Sequence, residues 1–429
     1  QSSGEFAFML RRISMVAVLF AMSAPLSAAE LSVGSVERLP AVQRALQFFE
    51  REREWILQQQ IRATSIPAPP FHEEERARYL EEQFRALGLE PVRRDSIGNV
   101  LGTRAGADPE HIVLLSAHID TVFPPGTSVE VRKQGSRWVA PGIADNGAGI
   151  AALLALARAL QESKLRTHAT LLFVANVGEE GEGNLRGMQA LFSDPVLRRR
   201  VRAAIAIDGS SHERLTAKAL GSRRFHVTVR GPGGHSWADF GLPNPIQALA
   251  RAIHRLAEVT IPPRPRTIFN IGQIEGGTSV NAIPFQASMK VDIRSEEEPE
   301  IERLERALRR IVAEAVAEEN AVADTKRGAL TVEVKVIGQR PAGELPASAR
   351  IIEVFGAVDQ HLGIKTQMQR SSTDANIPIS LGIEAVAVGG GGRSGASHSL
   401  QEWYDPSGRE RALKRILLAV ALLAGVEEE

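Results

Sequence analysis

No cysteine occurs in the 429 residues, which excludes disulfide scaffolds, thiolate metal sites and cysteine nucleophiles. Net charge is also missing: 51 Lys and Arg balance 51 Asp and Glu, so no global field draws in nucleic acid or an acidic membrane surface. No internal repeat, low-complexity tract or run of eighteen uncharged apolar residues is found, and repeat arrays and bilayer-spanning helices are not expected. What is present is a chain with 43% hydrophobic and 24% charged residues, the balance of a folded protein rather than a disordered one. Its length exceeds one compact core and predicts more than one domain. Any metal must be held by His, Asp and Glu.

The first 29 residues read as an upstream extension and a signal peptide. Arg11 and Arg12 form a basic start, Ile13 to Met22 an apolar run too short to span a bilayer, and Ser27-Ala28-Ala29 a small-residue cleavage site. A periplasmic or secreted protein with no stable membrane insertion after signal cleavage is expected, and an oxidising compartment suits a chain without thiols.

From Val42 to Leu89 the pattern is helical, broken by the rigid turn Ser65-Ile66-Pro67-Ala68-Pro69-Pro70. Apolar strands follow at Ile112 to Ser116, Thr170 to Ala175, Ala203 to Ile207 and Ala385 to Val388, with an Ala/Leu-rich helix from Gly147 to Leu160 between two of them. This alternation predicts an α/β layer with a mixed, largely parallel sheet. Between about Leu220 and Arg340 the rhythm changes to strand, helix, two strands, helix, strand. Asn244-Pro245 starts the first helix, and Ser295-Glu296-Glu297-Glu298 reads as a capping box for the second. That order is the one of a small ferredoxin-like α+β sandwich. The expected organisation is a first catalytic segment over 30–219, an inserted lid over 220–340 and a second catalytic segment over 341–429.

Five acidic or histidine-bearing segments fall at strand or loop ends, where open α/β sheets bind ligands. His118 and Asp120 share a face if their strand continues, either as a structural pair or as a ligand with the carboxylate that orients it. Asp145, in the glycine-rich turn Gly142 to Gly149, is either an N-cap or a ligand. Glu179 and Glu180 lie between glycines after a strand, Asp208 closes another, and His398 follows the Gly389 to Gly392 run. Each segment alone also reads as an ordinary loop. Together they supply an oxygen/nitrogen shell for two divalent ions, with zinc the best match and cobalt or manganese possible.

These segments resemble the family of co-catalytic dizinc exopeptidases and amidohydrolases that includes glutamate carboxypeptidase, tripeptidase T, aminoacylase and succinyl-diaminopimelate desuccinylase. The resemblance covers nearly the whole chain after the signal. It rests on SAHIDTV at Ser116 to Val122, ADNGAG at Ala144 to Gly149, GEEG at Gly178 to Gly181 and SHSLQEW at Ser397 to Trp403. It implies that His118 and Asp208 hold one zinc, Glu180 and His398 the other, and that Asp145 bridges them. Asp120 would orient His118. Glu179 would be the general base, taking a proton from the attacking water and passing it to the leaving amine, with neighbouring cations keeping it ionised.

The lid carries further matches. His235, in Gly233-Gly234-His235-Ser236, resembles a histidine that reaches the opposite subunit's site and stabilises the oxyanion, which implies a homodimer. Asn281 matches a substrate-contacting position, and Arg294 an arginine that grips a substrate carboxylate. Alternatively Arg294 pairs with Glu296 or Glu297. The Gly389 to Gly392 run resembles a loop lying along the substrate. The expected activity is hydrolysis of short peptides next to a free carboxylate. N-acyl-amino-acid amidohydrolase and aminopeptidase activities are the alternatives, as is a binding protein that has lost catalysis.

Overall fold

The computed structural model describes residues 32–427, and the expected export signal lies outside them. Helices α1 (Pro40–Arg51) and α2 (Arg53–Thr64) precede strand β1 (Asp108–His118), helix α3 (Gly147–Ser163), β2 (Ala169–Asn176) and β3 (Val201–Ile207). Next come β4 (Gly221–Arg230), α4 (Pro245–Ala257), β5 (Thr267–Gly276), β6 (Gln286–Ser295), α5 (Glu298–Val322) and β7 (Thr331–Arg340). β8 (Glu384–Val388) and α6 (Arg409–Ala424) complete the set used below. Among the described residues no helix is long and apolar enough to cross a membrane.

The fold is a mixed α/β sheet carrying an inserted α+β unit. In the large sheet β2, β1, β3 and β8 lie side by side and parallel. Antiparallel strands flank this centre: Val100–Arg104 beside β2, and Arg214–Ala219 beside β8. Every residue of β2 is buried, as expected of a strand covered on both faces. α3 is buried almost all round, and its Ala and Gly residues let it pack closely under α1 and α2.

The inserted unit has its own core, formed from residues between Phe225 and Leu330. Its sheet order is β5-β6-β4-β7, antiparallel throughout, as a ferredoxin-like sandwich requires. Phe225, Val227 and Val229 of β4 alternate with polar neighbours and face the apolar sides of α4 and α5. Each such buried side chain contributes roughly 1.5–3 kcal/mol.

One local expectation is corrected. Ser295 does not cap α5: it is the last residue of β6, shares a hydrogen bond with the Thr267 hydroxyl and accepts from the Glu297 N–H. Glu297 stands at the cap position and makes no side-chain capping bond, because the strand extends further than its polar residues suggested.

Candidate metal centre

The parallel strands deliver their carboxyl ends to one place. β1 ends on His118, β2 leads into Glu179 and Glu180, β3 into Asp208, and β8 into the glycine run before His398. Asp145 enters from the turn before α3. Its carboxylate lies between two imidazoles, with Oδ1 3.2 Å from His118 Nε2 and Oδ2 3.3 Å from His398 Nε2. His398 Nε2 is also 3.2 Å from Glu180 Oε1.

Three groups of donor atoms come within 4.8 Å of one another: His118 with Asp145 and Asp208, Asp145 with Glu180 and His398, and His118 with Glu179 and Glu180. The first two share Asp145 and contain the residues that the resemblance assigns to the two metals. Four carboxylates face only two histidines here, an excess of like charge that divalent cations would neutralise. Among the described residues the Asp208 side chain makes no hydrogen bond or ion pair, so its oxygens are free as donors. Hard oxygen and imidazole nitrogen together fit zinc, cobalt or manganese.

Burial and like charge shift the protonation of the clustered carboxylates and imidazoles. Burial pushes Asp208 up, and the Asp145 charge adds to it. Burial likewise raises Glu180 and, more strongly, Glu179, which the Arg340 guanidinium pulls back while Glu180 pushes it further up. Asp145 goes the other way: burial works to raise it, but hydrogen bonds from His118 and His398 hold it well below the carboxylate range. Bonds to Asp145 and Glu180 raise His398 to about 10. His118 also stands well above its usual value, since its carboxylate partners outweigh burial.

Asp120 acts on both neighbours. Its carboxylate Oδ1 is 3.5 Å from His118 Nδ1, which also lies 3.2 Å from the Asp120 carbonyl. The other side of the imidazole, Nε2, therefore faces the donor cluster. The same carboxylate accepts the backbone N–H of Glu179 at 2.9 Å and of Glu180 at 2.7 Å, so it anchors the glutamate pair as well. Those bonds and His118 hold Asp120 low despite complete burial.

Four contributors carry no assignment from the sequence. Asn146, not Asp145, caps α3: its Oδ1 accepts from Gly149 and Gly209 N–H, while its amide donates to the carbonyls of His118 and Ile207. One side chain thus ties together the ends of β1, β3 and the start of α3. Arg340, at the end of β7, donates to Glu179 Oε1 at 3.0 Å and to the Glu179 carbonyl. Glu402 accepts three N–H groups of the turn that carries Asp145. Asp374 is buried behind Asn176, whose amide donates to it at 2.7 Å. Asn146 and Glu402 lie inside quoted motifs, which was the available signal; Arg340 and Asp374 had none.

The remaining expected residues are placed elsewhere. His235 sits on a short pair, Gly234–His235 with Ala282–Ile283, and is exposed. Its Nδ1 accepts from the Trp237 and Ala238 N–H groups, which puts the ring proton on Nε2. Asn281 is exposed beside it: its carbonyl accepts the Ser236 N–H, and its side-chain oxygen accepts from the Ser279 hydroxyl at 2.5 Å. Arg294 lies on β6 and pairs through Nε with Asp292 at 2.8 Å, rather than with Glu296 or Glu297. The sheet brings Arg294 and Asp292 to the same face, two residues apart. The glycines from 389 to 392 are buried against the protein itself. A Cβ on Gly389 would come 1.9 Å from the Ser210 carbonyl oxygen, and one on Gly390 2.7 Å from that of Ala148. Internal packing by itself requires glycine at these positions.

Comparison with known proteins gives the family and the fold. The family model described as Peptidase family M20/M25/M40 matches residues 114–424. The chain is 27% identical over 229 residues to carboxypeptidase G2 of Pseudomonas sp. (strain RS-16), covering 50% of this chain and 53% of that protein. It spans about half the length of the curated relatives it matches. Aminopeptidase PepT from Bacillus cereus shares the fold with a TM-score of 0.69 at 22% identity, covering 86% of this chain and 98% of that one. So does the Bacillus subtilis YXEP protein, described as a dinuclear metal binding peptidase, at a TM-score of 0.64 and 16% identity, covering 87% and 99%. The matched segment contains every residue of the donor cluster, and this chain belongs to Peptidase family M20/M25/M40.

Proposed function

We propose that this chain is an exported, homodimeric dizinc hydrolase that cleaves short peptides bearing a free carboxylate. The observation that carries the reading is the Asp145 carboxylate spread between His118 and His398, with Glu179 alongside. His118 and Asp208 would hold one ion, Glu180 and His398 the other, and Asp145 both; zinc is the first choice, with cobalt or manganese suited to the same donors. When bound, the pair supplies Lewis acidity at the scissile carbonyl and makes water a stronger acid.

The chain's own residues do the rest. Glu179 takes the proton from the attacking water and delivers it to the leaving amine. Arg340 holds Glu179 by its carboxylate and its carbonyl, so the base keeps its direction. His235, with its proton on Nε2, is prepared to donate to an oxyanion in the partner subunit's site. Trp237, Phe240 and Val280, all strongly exposed around it, support a second copy covering this face. Arg294 binds Asp292 through Nε and offers its terminal nitrogens to a substrate carboxylate. Asn281 would contact the substrate from the same unit. The basic and apolar start of the chain supports export to the periplasm or medium.

The test is hydrolysis of matched dipeptides and tripeptides by zinc-loaded enzyme, each with its C-terminus free or amidated and its N-terminus free or blocked. Cleavage that demands the free carboxylate is expected. Tolerance of amidation with intolerance of N-terminal blocking would make the enzyme an aminopeptidase and remove Arg294 as anchor. Preference for N-acylated amino acids would make it an amidohydrolase.

A further inference from the structure

The inserted sheet has one face covered by α4 and α5 and one face open. The open face forms a wall of a groove of about 1080 Å³, and the segment from Gly181 to Gln189, directly after the glutamate pair, lines it as well. Two bonds hold these walls together: Arg224 Nη1 donates to the Gly181 carbonyl at 2.9 Å, and the Gln339 N–H donates to Asn184 Oδ1 at 2.7 Å. The groove therefore starts one residue from Glu180.

Its charge is uneven. Lys290 on β6, His226 on β4 and Lys335 on β7 are direct cross-strand partners, so three basic side chains stand in one row across three adjacent strands. Direct partners have Cβ atoms about 4.5–5.5 Å apart, so each lysine stands beside His226 and the two ammonium groups lie on either side of it. Among the described residues neither Lys290 nor Lys335 makes an ion pair or side-chain hydrogen bond. The acidic lining residues do not compensate. Asp292 is already shared between Arg294 Nε at 2.8 Å and Arg224 Nε at 3.6 Å, and Glu182 is exposed on the opposite wall. Two unpaired ammonium groups on either side of an imidazole, in a groove large enough for several residues, are accounted for by an anionic occupant.

We infer that this groove is a subsite for acidic side chains of the peptide substrate, with Lys290 and Lys335 as its specificity-determining residues. The inference rests on the peptide-hydrolase reading above and adds a preference for Asp or Glu away from the scissile bond. Two ammonium groups held apart by the intervening strand β4 suit separate carboxylates better than one compact anion, for which a guanidinium fork or a nest of backbone N–H groups is the usual receptor.

The experiment compares wild type with a Lys290→Gln, Lys335→Gln double variant. Zinc-loaded enzyme is assayed on tripeptides that differ only by Glu against Gln at each position in turn. Binding of tri-glutamate, tri-glutamine and inorganic phosphate is measured by calorimetry on the same proteins. Wild type is expected to favour Glu over Gln at one position by about tenfold or more, and to bind tri-glutamate more tightly than tri-glutamine by a similar factor. The double variant should lose both preferences, its rate on the Glu peptides falling to that on the matched Gln peptides. Lys335→Glu should reverse the preference.

Equal treatment of Glu and Gln peptides by wild type, or a preference that survives in the double variant, overturns the inference. Phosphate binding as tightly as tri-glutamate overturns the assignment to acidic peptides. If no peptide is cleaved but tri-glutamate binding still depends on the two lysines, the subsite stands and the hydrolase reading fails.

Discussion

Glu402 holds Asp145 by its backbone: Oε1 accepts the Asp145 N–H at 2.9 Å and the Ala144 N–H at 2.8 Å, and Oε2 accepts that of Gly142 at 3.1 Å. The turn is wrapped around a fully buried carboxylate, which leaves the Asp145 side chain directed at the two histidines. Burial pushes the Glu402 carboxyl up to about 7, the nearby Asp145 charge contributes, and the three N–H donors oppose the rise.

Removing that carboxylate should loosen the centre without touching a donor atom. Glu402→Ala leaves three buried N–H groups unpaired and should destabilise the fold by roughly 2–5 kcal/mol. Glu402→Gln keeps one acceptor oxygen and should fold, with metal affinity weakened about 10–100-fold. Competition with a calibrated chelator measures this. Unchanged affinity in the Gln variant would mean that Asn146 and the helix start hold Asp145 without help.

Glu179 and Arg340 give a second prediction. Glu179→Gln removes the proton acceptor but preserves size, so turnover should fall about 10²–10⁴-fold while metal content stays near two ions per subunit. Arg340→Lys retains the charge but not the double grip on Glu179, and should lower kcat more than it changes KM. Elemental analysis with steady-state kinetics checks both. A Gln variant that hydrolyses normally would remove Glu179 as the base.

Asp374 supplies a pH dependence. Burial raises its carboxyl to about 7 in the metal-free protein, against an unfolded value near 3.9. The folded state therefore holds this proton more tightly, and the resulting stability is complete below about pH 4 and lost as pH rises through about 7. Asp374→Asn keeps the bond from Asn176 and never ionises. In chelator-treated protein at pH 8–9 it should exceed wild type in stability by on the order of 2–4 kcal/mol, with the difference vanishing near pH 4. Denaturant titrations across this range read it out, and a pH-independent difference would dissociate the effect from the Asp374 proton.

Much of the centre was readable before the fold. His118, Asp145, Glu180, Asp208 and His398 are side chains whose chemistry is written in their residue type, and each stands at the end of an apolar stretch or glycine turn. The strands of the inserted unit were equally legible, because alternation in β4 and β6 reports directly which face is buried. The short antiparallel edges of the large sheet were not, since strands of two to five residues carry too little periodicity.

The sequence by itself determined which atoms can bind a cation: with no thiol available, only histidine nitrogen and carboxylate oxygen remain. Tertiary structure alone decided what holds those atoms in place. Arg340 reaches Glu179 across 161 positions, and Glu402 reaches Asp145 across 257. Asn146 binds backbone groups of two strands and a helix. The partners in two of these three cases are peptide N–H and C=O groups, which every residue but proline carries in full. A bond to the backbone leaves no trace in the identity of its partner, so only the folded chain shows it.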